Sequence, residues 1–351
     1  MEELQFFNVF NYCFVSPTYL HFDHPTGRYI FRTRNVCWNV TLLTVSVASS
    51  LVSAIIIILD LQDLLGNVMG ATTIIHHVMR QLIMVPLILW ALFYSRTLVN
   101  DCTFALKIVQ EKFTLLNRTS DRRNVFKLLW LQISIIAVVL FLGLAVQSAT
   151  VWQIKRLRQF HYIYNLWAFA FLGFITQMHL MLAQCWTLFI SHHIEDLVSL
   201  LKVDHTPVTL TKVISLWDDL QCFKQRIAST FGIMNVLHTL DAMLTCAVDT
   251  YTTFYVYELG LGLKGAFLNL VTMLLYTGTF YAFTYAHELL QCKEAELKNA
   301  LKSMQYTNIT KQTRDQKDFY DLVNLKLMME TPKITACGLF EINLQIFYNV
   351  R

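Results

Sequence analysis

Charge is what this sequence has least of. Only 15% of its 351 residues are Asp, Glu, Lys or Arg, where a water-soluble domain carries about 25%, and 55% are hydrophobic. Such a chain needs lipid as its solvent. Proline and glycine are scarce as well, at five and eleven, so its long apolar runs go almost unbroken. No Ser-His-Asp, His-Glu-x-x-His or Walker pattern occurs, which leaves an enzyme without positive support. The eight cysteines form no Cys-x-x-Cys pair, so no zinc or redox motif is present and neither a metal nor a cofactor is expected. Before the apolar stretch at 6–20 there is no basic segment, and no small-residue cleavage site follows it, so a cleaved signal peptide is not expected. Phe6, Phe7, Val9, Phe10 and Phe14 suit either a helix lying in a membrane interface or an apolar tail packed on the rest of the protein.

What is there is a series of apolar runs separated by blocks of charge. Residues 36–59 hold no charged side chain, enough to cross a hydrocarbon core of about 30 Å at about 1.5 Å per residue. Further spans are expected at 71–94, interrupted only by Arg80, and at 128–152, 161–190, 233–257 and 265–286. A seventh begins after Pro332 and Lys333 and is short, running from Ile334 to Val350 before the chain stops. The fold class is therefore an all-α transmembrane bundle of seven spans. Its order is an N-terminal segment (1–35), spans one to six with their loops (36–286), a helical loop segment (287–333) and the start of the seventh span (334–351), which reads as incomplete.

Orientation follows from where Lys and Arg are retained. The segments 1–35, 95–127, 191–229 and 287–333 hold three, seven, four and eight of them, twenty-two together, against four in the intervening short loops. The N-terminus is thus expected in the cytoplasm, the short loops outside, and the protein in the plasma membrane as a multi-pass chain. None of the cysteines falls in those outer loops, so no extracellular disulfide is expected. The basic residues lie beside spans and form no face with interleaved aromatics, so they argue topology and not nucleic-acid binding.

Several motifs have two readings. Gly260, Gly262 and Gly265 spell the dinucleotide-binding G-x-G-x-x-G, but a chain of spans has no βαβ setting for it, and an outer turn is the plainer reading. His192 and Asp196 stand one helical turn apart, as metal ligands or as a polar helix end, and two ligands do not make a site. Ionisable groups inside spans are costly and should face inward. Arg80, Asp241 and Asp249 are such groups, suited to an ion pair or a ligand contact. His76, His77, Gln147, Trp152 and Trp167 lie where a ligand cavity with aromatic walls would be, although tryptophans also mark membrane interfaces. Glu341, Gln345 and Asn349 fall at i, i+4 and i+8 of the expected seventh helix, a polar stripe for a water-filled path or for bonds to other spans. Past span six, 288–298 continues in helix formers, with Glu294 and Lys298 at i,i+4. Phe319, Leu322, Val323 and Leu327 then recur at helical spacing, a face to pack on the same subunit or on another.

Taken with the segment Thr335-Ala336-Cys337-Gly338-Leu339-Phe340-Glu341-Ile342-Asn343, these features resemble the insect gustatory receptor family, which shares its fold with the insect odorant receptors. The resemblance implies a chemosensory receptor that is itself a ligand-gated cation channel, a homo- or hetero-tetramer in membrane lipid that detects small-molecule tastants. It makes 287–333 an assembly anchor and 334 onward the pore helix, with Glu341, Gln345 and Asn349 facing the pore. The family's terminal Thr-Tyr and Gln-Phe motif would fall just past Asn349. The alternatives are a G-protein-coupled receptor or a small-solute transporter. Against the first stand the expected orientation and the missing Asp-Arg-Tyr and Asn-Pro-x-x-Tyr motifs; against the second, the lack of inverted repeats.

Glycosylation tests the orientation. Asn117-Arg-Thr and Asn308-Ile-Thr are sequons on the side assigned to the cytoplasm, so neither should carry glycan. A glycosidase-sensitive mass shift abolished by Asn117→Gln or Asn308→Gln would overturn the assignment.

Overall fold

A computed structural model of the chain describes residues 2–12, 18–33, 95–116, 123–153, 160–204, 206–258, 262–307 and 333–345, with scattered positions between 40 and 90 and between 320 and 328. In chain order the elements are helix α1 (Glu2–Tyr12), strands β1 (Thr18–Asp23) and β2 (Arg28–Thr33), helices α2 (Ser95–Leu116), α3 (Arg123–Gln153), α4 (Phe160–Val203), α5 (Pro207–Glu258) and α6 (Gly262–Thr307), and strands β3 (Thr335–Ala336) and β4 (Phe340–Glu341). Expected spans three to six lie in α3 to α6, and the described positions from 40 to 90 are helical. Phe126–Ala145, with mean hydropathy 2.5, and Val208–Tyr251, with 1.4, are long and apolar enough to cross a membrane.

Length is the distinctive property of the later helices. α4, α5 and α6 have 44, 52 and 46 residues, whereas about 20 cross a bilayer core. The helix expected to continue from span six does so to Thr307. α5 starts well before its span, at Pro207, where the fixed φ and missing N–H of proline suit a first helical position. The Thr206 hydroxyl accepts from the Thr209 N–H at 3.3 Å, and Asp204 Oδ1 accepts from the Thr206 N–H at 3.0 Å; these contacts cap the helix end. α2 occupies what the sequence shows only as a loop between spans. It buries Leu98, Cys102, Ala105, Leu106 and Val109 at helical spacing and leaves Lys107 and Glu111 outside.

The described residues divide into two compact units. One comprises Met1–Val99, Arg122–Leu182 and Ile233–Ala282, the other Asn100–Asp121, Ala183–Gly232 and Phe283–Arg351. The three breaks near 182, 232 and 282 fall inside α4, α5 and α6, so each of these helices contributes to both units.

In the first unit α1 settles the ambiguity of the aromatic N-terminus. Phe6, Phe7 and Phe10 are buried, and Phe6 meets Phe126 and Trp130 of α3 with ring centroids 5.5 Å from each. The segment packs on the chain, and beyond Tyr12 it is not all helix, because Thr18 to Leu20 begin β1. β1 and β2 pair antiparallel from Thr18↔Thr33 to Asp23↔Arg28. Gly27, with φ +61°, closes the turn in a conformation that glycine adopts without strain. Asn8 of α1 fastens the hairpin, its Oδ1 accepting from the Leu20 N–H at 2.5 Å. α3 leaves Leu128, Leu131, Ile135, Val138 and Leu142 exposed, and α6 leaves Phe267, Leu270 and Leu274 exposed. Water would not tolerate so much apolar surface, and lipid solvates it.

In the second unit the chain does not enter a helix at Ile334, as the seventh span was expected to. It makes an antiparallel hairpin, Thr335↔Glu341 and Ala336↔Phe340. Cys337 and Gly338 take φ of +53° and +76°, which breaks helical propagation. The Thr335 hydroxyl accepts from the Gly338 N–H at 3.1 Å, and the Ala336 carbonyl accepts from the Leu339 N–H at 2.9 Å. Glu341 is therefore extended, so it does not share a helical stripe with Gln345. Helix begins only after Asn343, whose Oδ1 accepts from the Gln345 N–H at 3.0 Å, and Gln345 is helical.

The hairpin lies against α5 at Gly232, where an added Cβ would stand 3.4 Å from the Cys337 nitrogen and sulfur. Gly232→Ala should stabilise the protein by about 0.5–1 kcal/mol through helix propensity, while Gly232→Leu should dislodge the hairpin and lower the midpoint. Thermal unfolding in detergent measures both. An Ala variant that melts earlier than the parent would show that this approach has no room for a methyl group.

Candidate functional site

The site is best built from the charges the second unit buries. Lys224 of α5 donates to both Glu294 oxygens, at 2.7 and 2.8 Å, and the side chains are 3% and 5% exposed. Gln221 adds a donor to Glu294 Oε1 at 2.8 Å. Burial pushes the Lys224 ammonium below its ordinary range, and the Glu294 carboxylate opposes that shift. Lys112 of α2 makes a close, buried ion pair with Asp196 of α4. Asp101 lies 3.6 Å from Arg226, whose guanidinium sits 4.7 Å from the Phe104 ring centroid. For Asp101 burial prevails over Arg226 and the Thr230 hydroxyl, and its pKa is raised. These contacts join α2, α4, α5 and α6 within the unit.

The β3–β4 hairpin is held in the same surroundings. The Glu341 carboxylate accepts from Gln291 of α6 at 2.7 Å and from Lys333 at 2.9 Å, and Ile334, Ala336, Ile342 and Asn343 are buried. Lys224, His287, Gln291, Glu294, Lys298, Lys333, Ile334, Glu341 and Ile342 belong to the wall of one cavity of about 210 Å³. His287 is neutral at physiological pH: burial, helped by Lys224, pushes its pKa down to about 4 against a hydrogen bond to the Phe283 carbonyl. That bond, 2.9 Å long, makes Nδ1 the donor and turns Nε2 toward the Thr187 hydroxyl at 3.4 Å.

At the surface of the unit Lys293 bonds to Glu195 at 3.1 Å and Glu296 at 3.2 Å, and Lys202 reaches Glu296 at 3.3 Å. These bonds lower the Glu296 pKa from 4.5. Burial acts to lower the Lys293 pKa, but both carboxylates together raise it above 10.5. The chain of charges thus contributes between those values, weakening as pH falls through the lowered Glu296 pKa or rises through the raised Lys293 pKa.

The first unit contains a different polar arrangement. The Thr279 hydroxyl of α6 donates to Gln177 of α4 at 2.6 Å. His179 of α4 and Asn235 and His238 of α5 are buried, and His179 Nε2, Asn235 Oδ1 and His238 Nε2 have no hydrogen-bond partner among the described residues. A cleft of about 450 Å³ between α3 and α6 has walls that include Leu131, Ile135, Leu274 and Gly278, with Gln132 and Thr279 as its polar groups.

The residues singled out from sequence are distributed across these arrangements. Trp167 is 47% exposed and Asp249 half-buried, while Asp241 is buried as an intramembrane carboxylate should be. Gln147 and Trp152 lie on the last turns of α3. His76, His77, Arg80, Phe319, Leu322, Leu327 and Asn349 fall outside the described residues. Val323 is buried within the chain itself, whereas its neighbours Leu325 and Met328 are exposed at 67% and 83%. Gly260 lies outside the described residues, and Gly262 and Gly265 are in the first turns of α6. His192 Nδ1 lies 2.6 Å from the Leu188 carbonyl and Asp196 is held by Lys112, so that pair is engaged in packing the unit.

Sequence reasoning missed Gln177, His179, Asn235 and His238, and also the Lys224–Glu294 pair. Asn235, His238 and Thr239, at i, i+3 and i+4 along α5 with Asp241 two residues further on, were the available signal. Nothing local marks a pair whose members are seventy residues apart.

Removing one partner of a buried pair strands the other charge and costs about 3–5 kcal/mol, whereas replacing both by apolar groups is near neutral or stabilising. Glu294→Leu should therefore destabilise by about that amount, and Lys224→Met with Glu294→Leu should restore most of it. Denaturant unfolding of the single and double variants checks this; simple additivity of the two losses would refute the coupling.

A family model described as 7tm Chemosensory receptor matches residues 4–350 of the chain. No curated protein matches it.

Proposed function

The chain belongs to the 7tm chemosensory receptor family, and from that membership we propose that it is a gustatory-type receptor acting as a ligand-gated cation channel for small-molecule tastants. It is a seven-span membrane protein of a family of chemoreceptors and not of enzymes. The observation that carries the channel reading is the grip on the segment before the seventh span. Gln291 and Lys333 hold Glu341, so a displacement of α6 is passed to the chain that enters that span. A continuous helix is a stiff carrier for such motion, and α6 runs unbroken from Gly262 to Thr307.

In this reading a tastant enters among the first unit's spans, with Asp249, Trp167 and the polar groups of α4 and α5 as contacts, together with His76, His77, Arg80, Gln147 and Trp152. Gln345 and Asn349 face the pore, and Glu341 stands at its threshold as the latch. The N-terminus is cytoplasmic in the plasma membrane, as the Lys and Arg asymmetry argues. Four subunits, identical or related, assemble through the region of Phe319, Leu322, Val323 and Leu327, where Leu325 and Met328 supply exposed apolar surface.

Patch recording tests the proposal. Expressed in cells without other receptors, the protein should give tastant-evoked cation currents that persist when G-protein signalling is blocked. Glu341→Gln, which weakens a hydrogen bond to a charged group, should shift the half-activating concentration about tenfold. Currents abolished by the block, or silence to a broad tastant panel despite surface expression, would refute a channel.

A further inference from the structure

The cavity of about 210 Å³ against the β3–β4 hairpin is unusual in its charge balance. Among the described residues three ammonium groups line it, those of Lys224, Lys298 and Lys333, against two carboxylates, Glu294 and Glu341. Both carboxylates are already supplied with donors: Glu294 by Lys224 and Gln221, Glu341 by Lys333 and Gln291. His287 adds no charge, because burial keeps its ring neutral at physiological pH. Lys298 is left over. It is half-buried, and among the described residues none forms an ion pair or hydrogen bond with it. Its charge is felt at Lys224, whose protonated form it disfavours.

A partly desolvated cation without a counter-charge, facing a cavity, is what an anion site looks like before its anion arrives. The dimensions narrow the anion. About 10–15 Å³ suffices for one water, so this space admits a polyatomic group and exceeds what a lone chloride needs. Lys298 offers three donors, Lys333 stands at the exposed side with its side chain 61% accessible, and Gln291 presents an amide. A phosphate monoester, with nearly two negative charges and three strong acceptor oxygens, matches several such donors at once. A divalent cation is disfavoured by the excess positive charge.

We propose that this cavity binds a phosphate monoester, with Lys298 as the principal contact and Lys333 and Gln291 as its helpers. Since Lys333 and Gln291 also hold Glu341, occupancy competes with the latch on the segment before the seventh span. The phosphate therefore acts as a regulator of that segment and not as the sensed ligand. The binding claim stands on the cavity alone and does not depend on the channel reading.

Binding is measured without recording currents. The full chain is placed in nanodiscs of zwitterionic lipid and its thermal midpoint followed against inorganic phosphate and against inositol trisphosphate, with sodium chloride at matched ionic strength as control. A parallel preparation contains phosphoinositide in the nanodisc. Ligand binding should raise the midpoint in a saturable way. A response to the soluble compounds identifies a free phosphate, and a response confined to the doped nanodisc identifies a lipid headgroup; either supports the site. Lys298→Gln should weaken the apparent affinity by about tenfold or more, and Lys298→Arg should largely preserve it. Lys333→Gln, changed at the exposed mouth, gives a second reading if Lys298→Gln folds poorly. Midpoint shifts matched by sodium chloride, or identical in the parent, Lys298→Gln and Lys333→Gln, would overturn the proposal.

Discussion

Lys224 holds both oxygens of Glu294 where almost no water reaches either side chain. A charge pair this dry is stable only while both members and their extra hydrogen bonds stay in place, so α5 and α6 cannot slide here without stranding a charge. The other features of the second unit are arranged around that restriction. Gln291 lies one turn before Glu294 on α6 and presents its amide to Glu341, and His287 lies one turn earlier still. The hairpin before the seventh span thus docks on a surface whose register the ion pair has already set.

The three long helices answer two solvents along one length. Apolar side chains on α3 and α6 in the first unit remain exposed because lipid is their intended neighbour. In the second unit the same chain satisfies its charges internally, through Lys112 with Asp196, Arg226 with Asp101 and Lys224 with Glu294. Van der Waals packing and a few internal polar contacts, such as Thr279 with Gln177, take the place of the hydrophobic effect where lipid is the solvent. This difference in what holds each unit makes the second one the better candidate for a switch. Ion pairs and hydrogen bonds have discrete arrangements that can be exchanged, whereas an apolar face against lipid has little to exchange.

The hold on Glu341 follows from a local interruption. Had Cys337 and Gly338 stayed in the right-handed helical region, the segment from Ile334 would have entered the seventh span directly. Their positive φ values reverse the chain and bring Glu341 back alongside Lys333 and Gln291. A residue that helical spacing would place on a polar stripe instead becomes a side chain held within the hairpin by Lys333 and Gln291.

Sequence by itself determined the helical membrane class, the presence of helix at 128–152, 161–190, 233–257 and 265–286, and the continuation of helix past 286 through 288–298. These depend on the composition and spacing of residues that are neighbours along the chain. It also marked Asp241 as inward-facing, since an ionised group in hydrocarbon has no other place. Tertiary structure alone decided that Lys224 meets Glu294, that Phe6 packs on Phe126 and Trp130, that α4, α5 and α6 each serve two compact units, and that Lys298 has no ion-pair or hydrogen-bond partner among the described residues. Each of these joins residues tens of positions apart, and no local pattern of hydrophobicity or charge encodes which distant group will fill the space beside a given side chain. The hairpin at 335–341 lies between the two cases. Its glycine was in plain view, but only the buried Ile334 and Ile342 and the grip on Glu341 made a turn there more stable than another turn of helix.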